Sequence, residues 1–253
     1  MFLYSNVSIY LTDHPVFGIV NFDQLLRGTN MHTVKVITNV ISSKAKNEIL
    51  ELVRNNAHEI GGNVIQKKSP YYEYVKTLEE TRTSIYLERL ESPGPDQTFL
   101  IVAEDEGEII GYLLYNRDID CFDDVSVCSI IVAEEYRGKG IFISMIDSLK
   151  SQSKSIGLSC SIDKVAFYQN RGFKIYQQHD TQVGMCYGTF IGEGRFYSVD
   201  DEYLESQPLV VTQKRMVETS RKNAFKKLAE ANLQEQKKVE KFVQGNKQGY
   251  PTP

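Results

Sequence analysis

The sequence has no tryptophan, and only four cysteines and four histidines among 253 residues. The cysteines form no CxxC pair and have no histidine at metal-ligand spacing, which argues against a zinc site or a disulfide framework. Isolated reduced thiols are typical of a cytoplasmic protein, so we expect a cytoplasmic location and no bound metal. No apolar run approaches the roughly 20 residues that a membrane-spanning helix needs, and the N-terminus lacks the pattern of a secretory signal. We therefore expect no contact with a membrane.

Neither sign of charge dominates, since 29 Lys and Arg residues stand against 33 Asp and Glu residues. Basic residues are concentrated near the C-terminus, where residues 214–241 hold nine Lys or Arg and four Glu. Three interpretations of this basic segment stay open: a solvated helix packed on its own domain, a surface for a protein partner or a homo-oligomer, and a nucleic-acid site. The last is disfavoured because the segment has no aromatic stacking platform and no dense basic cluster.

Hydrophobic patterns divide the chain into three parts: an N-terminal extension (1–30), an α/β domain (31–195) and a C-terminal basic helical extension with a frayed end (196–253). Within the domain, apolar runs bounded by turn residues predict strands at 99–103, 109–115 and 125–132. Apolar residues at helical spacing predict a helix over about 70–90. One long polar helical stretch is expected after Pro208, ending near residue 245.

A glycine-containing turn follows the third of these strands and leads directly into a predicted helix. The turn reads Arg137-Gly138-Lys139-Gly140. Glycines let backbone N–H groups converge without obstruction by a Cβ atom, and a helix N-terminus adds the positive end of the helix dipole. This arrangement suits a phosphate or pyrophosphate, and the side chains of Arg137 and Lys139 would add positive charge.

A second motif lies about thirty residues later, after a short predicted strand at 158–162. It reads Ala166-Phe167-Tyr168-Gln169-Asn170-Arg171-Gly172-Phe173. Together the two motifs resemble those of the GNAT N-acetyltransferases, in which Q/R-x-x-G-x-G/A opens a helix and Ala-x-x-(Leu/Phe)-Tyr-x-x-x-Gly-Phe follows. The resemblance extends over about residues 31–191. It implies a GNAT α/β fold, in which a mixed, mostly antiparallel central sheet with splayed strands is flanked by helices.

The resemblance also implies acetyl-CoA as co-substrate and transfer of its acetyl group to a primary amine by direct attack. The pantetheine arm would bind the backbone of the central strand at Ile130, Ile131 and Val132. The pyrophosphate would bind the turn and the first helical residues, which are Arg137, Gly138, Lys139, Gly140, Ile141 and Phe142. Ser144, in the first turn of the helix, would add a hydroxyl. Tyr168 would donate a proton to the departing thiolate, since a phenol and a thiol have comparable pKa values.

Two residues depart from the family pattern. Phe142 stands where Gly or Ala is usual, and we expect its side chain to point to the core while its backbone binds. Asp163 stands where Asn is frequent. No general base is evident, because Asp123, Asp124 and Glu135 are each better explained as solvated charges. The alternative is therefore an inert GNAT-fold scaffold or assembly module that binds protein partners through its terminal extensions.

The acceptor amine is left open between a small molecule and a protein. In a family-like arrangement its pocket would be lined by the helix at 70–90 and the turn near 181–184. Acidic residues on that helix would favour a cationic acceptor: Glu73, Glu79 and Glu80.

Overall fold

The computed structural model describes residues 32–37, 39–92, 94–189 and 194–246. The N-terminal extension expected for residues 1–30 and the end expected to fray lie outside the described residues, and the division of the chain at 195 stays a prediction. Among the residues described, no helix is long and apolar enough to cross a lipid bilayer.

A seven-stranded sheet forms the centre of the described chain, with strand order β1-β2-β3-β4-β5-β7-β6. The strands are β1 (Thr33–Ile37), β2 (Thr98–Asp105), β3 (Glu108–Arg117), β4 (Asp124–Val132), β5 (Ser155–Cys160), β6 (Lys174–His179) and β7 (Gln182–Gly188). All neighbouring strands pair antiparallel except β4 and β5, which are parallel. β2 and β3 are buried along most of their length, as expected for strands that are covered on both faces. The predicted mixed, mostly antiparallel sheet is confirmed.

Helices cover both faces of the sheet. They are α1 (Ser43–Asn56), α2 (Tyr72–Glu88), α3 (Ile141–Lys150), α4 (Val165–Gln169), α5 (Asp201–Glu205), α6 (Pro208–Ser220) and α7 (Ala224–Asn246). One apolar core contains side chains of α1, α2, α5 and α6, and a second, on the opposite face, contains side chains of α3, α4 and α7. The motif at 137–142 and the predicted acceptor helix α2 therefore lie on opposite faces of one sheet.

From Pro208 onwards the chain forms two helices of unequal length and not the single stretch expected from the sequence. α6 ends at Ser220, and Asn223 adopts a left-handed φ of 61° before α7 begins. Pro208 is placed in the first turn of α6, where its missing N–H costs nothing. α7 buries Val239 and Val243 in the same core as α3. A role for this segment in binding a partner or a second copy stays a prediction.

Candidate active site

A cleft opens in the sheet between β4 and β5. The two strands pair only at their first residues, with Asp124 opposite Ser155 and Ser126 opposite Gly157. Beyond Ser126, β4 continues to Val132 with no further partner on β5 among the described residues. The strands thus separate towards their C-terminal ends, and an extended ligand can lie between them.

A bulge in β4 lies close to the start of the cleft. Leu114 of β3 pairs with Ser129, while its neighbour Tyr115 pairs with Val127, so Cys128 has no partner in the register. An extra residue of this kind bends a strand and increases its local twist. The bulge therefore helps β4 to turn away from β5.

Two residues of β4 direct their backbone groups into the cleft. The N–H of Ala133 donates to the C=O of Ile110 at 2.8 Å. Because bonded and non-bonded pairs alternate in an antiparallel ladder, the backbone groups of Ile131 face β3. Those of Ile130 and Val132 face the cleft. Of the three residues expected to bind pantetheine through the backbone, Ile130 and Val132 thus have their backbone groups on the cleft side and Ile131 has them on the β3 side. The C=O of Val132 already accepts a hydrogen bond from Nε of Arg137 at 3.1 Å. Binding of pantetheine to this strand stays a prediction.

The turn at the end of the cleft has the conformation that its glycines allow. Gly138 and Gly140 have φ values of 78° and 82°, in the left-handed region that favours glycine. A Cβ atom at either position would meet nothing within 4 Å, so the space beside the turn is open. Gly140 immediately precedes α3, and no side chain caps this helix. The first N–H groups of an uncapped helix are available to an anion.

Ser144 lies in the first turn of α3. Its N–H donates to the C=O of Gly140 at 3.0 Å, and its hydroxyl donates to the same carbonyl at 3.3 Å. Nε2 of His32 lies 3.4 Å from the hydroxyl oxygen. The Ser144 hydroxyl is therefore next to the turn, as predicted, but is already engaged with it.

The side chain of Arg137 points away from the turn. Its Nε donates to the C=O of Val132 at 3.1 Å, Nη1 to Oε1 of Glu59 at 2.9 Å and Nη2 to Oδ1 of Asn56 at 2.7 Å. The expectation that this guanidinium adds charge to the phosphate site is wrong. It joins the end of β4 to the end of α1 instead. Lys139 stays beside the turn, with Nζ 4.5 Å from the ring centroid of Tyr136.

Glu59 spans the open end of the cleft, a contact that the sequence motifs did not indicate. Its carboxylate pairs with Arg137, which follows β4, and with Lys164, which follows β5, at 2.9 and 3.4 Å. Burial alone would raise the pKa of Glu59, but the bonds to Arg137 and Lys164 outweigh it and lower the pKa. His58 lies beside it, with Nε2 3.7 Å from Oε1. No local pattern could have found this pair, because Glu59 lies 78 residues before Arg137.

Tyr168 lies within a group of aromatic rings below the turn. Its ring centroid is 5.7 Å from that of Phe142, and the rings of Phe167 and Phe173 also surround it. The Phe142 side chain thus points to the core, as its unusual place in the motif led us to expect. Among the described residues, the Tyr168 hydroxyl has no hydrogen-bond partner. Burial raises the pKa of Tyr168 above its ordinary value, so the hydroxyl keeps its proton.

The carboxylates considered as general bases do not lie in the open part of the cleft. Asp123 pairs with Lys154 at 2.5 Å, and Asp124 accepts a hydrogen bond from the Ser155 hydroxyl. Both therefore lie at the end where β4 and β5 are still paired. Glu135 is exposed in a short 3₁₀ turn after β4.

Two loops meet on the α1/α2 face of the sheet. The hydroxyl of Thr181, in the β6–β7 turn, donates to the C=O of Gly62 at 2.5 Å. Gln182 donates to the C=O of Gly61 at 3.0 Å. The α1–α2 loop, which carries both glycines, is thereby connected to the half of the sheet beyond the cleft.

α7 is bound to both of these loops. The Asn232 side chain accepts the N–H of Val64 at 2.9 Å and donates to Asn63 at 3.0 Å. Gln236 of the same helix donates to the Asp180 carboxylate in the β6–β7 turn. The α1–α2 loop, the β6–β7 turn and α7 thus form one joined cover.

The three acidic residues expected to favour a cationic acceptor lie in different surroundings. Glu73 is largely exposed and pairs with Lys76. Glu80 pairs with Arg54. Glu79 is buried, with 3% of its surface exposed.

Comparison with known proteins gives one family and many similar folds. Residues 96–175, from just before β2 into β6, match the family of the acetyltransferase (GNAT) domain. Among solved structures, the PaiA N-acetyltransferase from Thermoplasma acidophilum in complex with coenzyme A is 13% identical, with a TM-score of 0.49, covering 62% of this chain and 99% of that one. ElaA from Escherichia coli is 17% identical, with a TM-score of 0.41, covering 62% and 99%. No curated protein matches the sequence.

Proposed function

We propose, from the premise that this chain carries a GNAT acetyltransferase domain, that it transfers an acetyl group from acetyl-CoA to a primary amine. The observation that carries the proposal is the continuity of the β4/β5 cleft with the uncapped N-terminus of α3. An extended arm with a pyrophosphate at one end matches both features. The arm would lie along β4, and the pyrophosphate would accept hydrogen bonds from the N–H groups at the start of α3.

Residues of this chain would supply binding, polarisation and one proton. The N–H of Ile130 faces the cleft and would polarise the thioester carbonyl, which an amine then attacks. The new C–N bond forms as the C–S bond breaks. The sulfur leaves as a thiolate and takes the proton of the Tyr168 hydroxyl. The attacking nitrogen loses one proton to solvent, and the Tyr168 phenolate regains one from solvent, so that the protons balance.

Calorimetric titration of the whole chain with acetyl-CoA and with CoA tests the proposal. We expect micromolar binding of both, lost in Gly140→Glu, because the new carboxylate stands beside the phosphate site. Gly107→Glu is the matched control. Gly107 also has a positive φ, of 83°, and also faces open space, but it lies in the β2–β3 turn away from α3.

Binding that survives in Gly140→Glu would place the cofactor elsewhere. Absence of binding to the wild type, with a normally folded protein, would contradict the enzyme proposal itself. The inert scaffold would then be the better explanation of the chain.

A further inference from the structure

Lys164 and Gly140 stand at the starts of two neighbouring helices. Lys164 immediately precedes α4, and Gly140 immediately precedes α3. The ring of Phe142, near the start of α3, has its centroid 4.9 Å from that of Phe167, near the start of α4. The starts of the two helices therefore lie side by side. Lys164, which follows β5, thus lies across the cleft from the glycine turn at 137–140, which follows β4.

Glu59 holds the ammonium group of Lys164 and the guanidinium of Arg137 together at this end of the cleft. Nζ of Lys164 lies 3.4 Å from Oε2 of Glu59, and Nη1 of Arg137 lies 2.9 Å from Oε1. Two cations therefore share one carboxylate. If one of the two leaves, Glu59 is still paired with the other, and no charge of the group is left without a partner.

The two cations are not held equally well. The guanidinium of Arg137 also donates to the C=O of Val132 and to the side chain of Asn56. Within the described part of the chain, the ammonium group of Lys164 has the longer bond to Glu59 alone, and 40% of its side chain is exposed. An exposed ion pair of a long side chain contributes little to stability. Lys164 can therefore change its partner at a small cost, whereas Arg137 cannot.

We propose that Lys164 binds the pyrophosphate of the cofactor, and that Glu59 competes with the pyrophosphate for this lysine. The inference rests on the proposed function, in which the pyrophosphate lies at the start of α3. The flexible stem of a lysine lets its ammonium group turn from Glu59 to that position. There it forms charge-assisted hydrogen bonds with phosphate oxygens, which are stronger than its exposed pair with Glu59.

The competition tunes the affinity of the cofactor site. Acetyl-CoA and CoA have the same pyrophosphate, so Glu59 lowers the affinity for both to the same extent. When CoA leaves, Glu59 takes Lys164 back and restores the link between the α1–α2 loop and the segment after β5. Glu59 therefore favours release of the product as well as weaker binding of the donor.

Calorimetric titration of CoA into the whole chain and three variants tests the proposal. Lys164→Gln should weaken binding about tenfold, because a hydrogen bond between charged groups is lost. Glu59→Gln should strengthen binding about threefold, because the competing ion pair is removed. In the double variant, Glu59→Gln should add nothing to the effect of Lys164→Gln, since the lysine for which it competes is absent. A merely structural role of the pair would not give this pattern.

Lys154→Gln is the matched control. Lys154 also pairs with a carboxylate, that of Asp123, but at the end of the cleft where β4 and β5 are still paired. This variant removes the same charge and should bind CoA as the wild type does. Dephospho-CoA, which keeps the pyrophosphate and lacks the 3′-phosphate, identifies the phosphate concerned. Lys164→Gln should weaken binding of dephospho-CoA as much as binding of CoA.

The proposal is overturned if the wild type binds CoA and Lys164→Gln binds it equally well, or if Glu59→Gln weakens binding. It is also overturned if Lys154→Gln weakens binding as much as Lys164→Gln does, because the effect would then come from net charge. A loss that is seen with CoA and not with dephospho-CoA would assign Lys164 to the 3′-phosphate instead. Absence of CoA binding to the wild type is a different pattern, and it would contradict the proposed function itself together with this inference.

Discussion

Arg137 and Tyr168 each match the residue type that the two sequence motifs require, yet their side chains make very different contacts. Arg137 uses all three guanidinium nitrogens on protein groups and so positions the α1–α2 loop against β4. Tyr168 instead has a buried ring that packs between those of Phe142 and Phe173. A motif specifies the residue type at a position, but the contacts in the folded chain determine the role of its side chain.

Tyr168→Phe tests the acid role at this scale. We expect kcat to fall about 10²-fold, because a positioned general acid contributes at least that much. Unfolding free energy should change by less than about 1 kcal/mol, since no hydrogen bond is removed. The measurement is release of CoA thiol from acetyl-CoA with a small primary amine as acceptor.

Tyr187→Phe serves as the control, because Tyr187 packs on Phe173 from β7, outside the cleft. The raised pKa of Tyr168 adds a pH test: its proton stays bound in the alkaline range, so the wild-type rate should not decline between pH 8 and about 10. Equal rates for Tyr168→Phe and the wild type would remove Tyr168 from the mechanism.

At the scale of elements, β4 and α7 shape the cleft and its cover. The separation of β4 from β5 follows from a pairing of only three residues and from the bulge at Cys128. α7 connects with the α1–α2 loop through Asn232 and with the β6–β7 turn through Gln236. The polar side chain of Asn232 therefore makes its contact within the same chain.

Asn232→Ala tests the role of α7. The N–H of Val64 loses its acceptor, so we expect faster hydrogen exchange at residues 61–64 and little change in β2 and β3. Leu233→Ala is the control, because Leu233 is adjacent on the helix and about half exposed. Unchanged exchange at 61–64 would mean that α7 does not hold this loop.

The strands, the glycine turn and the helix order could be predicted from the sequence, because local apolar patterns and turn residues determine them. The limits of β5 could not be predicted in this way. The strand covers residues 155–160 and not 158–162, because its pairing with β7 determines where it begins and ends. The Glu59 contacts and the buried state of Glu79 could not be predicted either. Both depend on how distant segments pack, and no spacing in the sequence carries that information.

At the scale of the whole molecule, the cleft connects two opposite faces of one sheet. The glycine turn at 137–140 lies with α3 on one face, and α1 and α2 lie on the other. Glu59 links the two halves of the sheet at the open end, through Arg137 after β4 and Lys164 after β5. The cleft is therefore held at both ends, by strand pairing at one and by ion pairs at the other.

Glu59→Gln tests this link through its pH dependence. The folded-state pKa of Glu59 lies below its ordinary 4.5, so its stabilising effect is present above pH 4.5 and is lost as pH falls through the lowered pKa. At pH 7 we expect the variant to unfold about 1 kcal/mol more easily than the wild type in urea. The difference should shrink below pH 4. Glu73→Gln, which removes the exposed ion pair with Lys76, should leave the free energy of unfolding almost unchanged at either pH.

Binding of CoA by the cleft and the start of α3 is the step on which the proposed function depends. Amide NMR of the ¹⁵N-labelled chain during a CoA titration tests it most directly, because each backbone N–H reports separately. We expect the largest shifts at Gly138, Gly140, Ile141 and Phe142, with a second group at Ile130 and Val132. Shifts confined to other parts of the chain, or none at millimolar CoA, would contradict it.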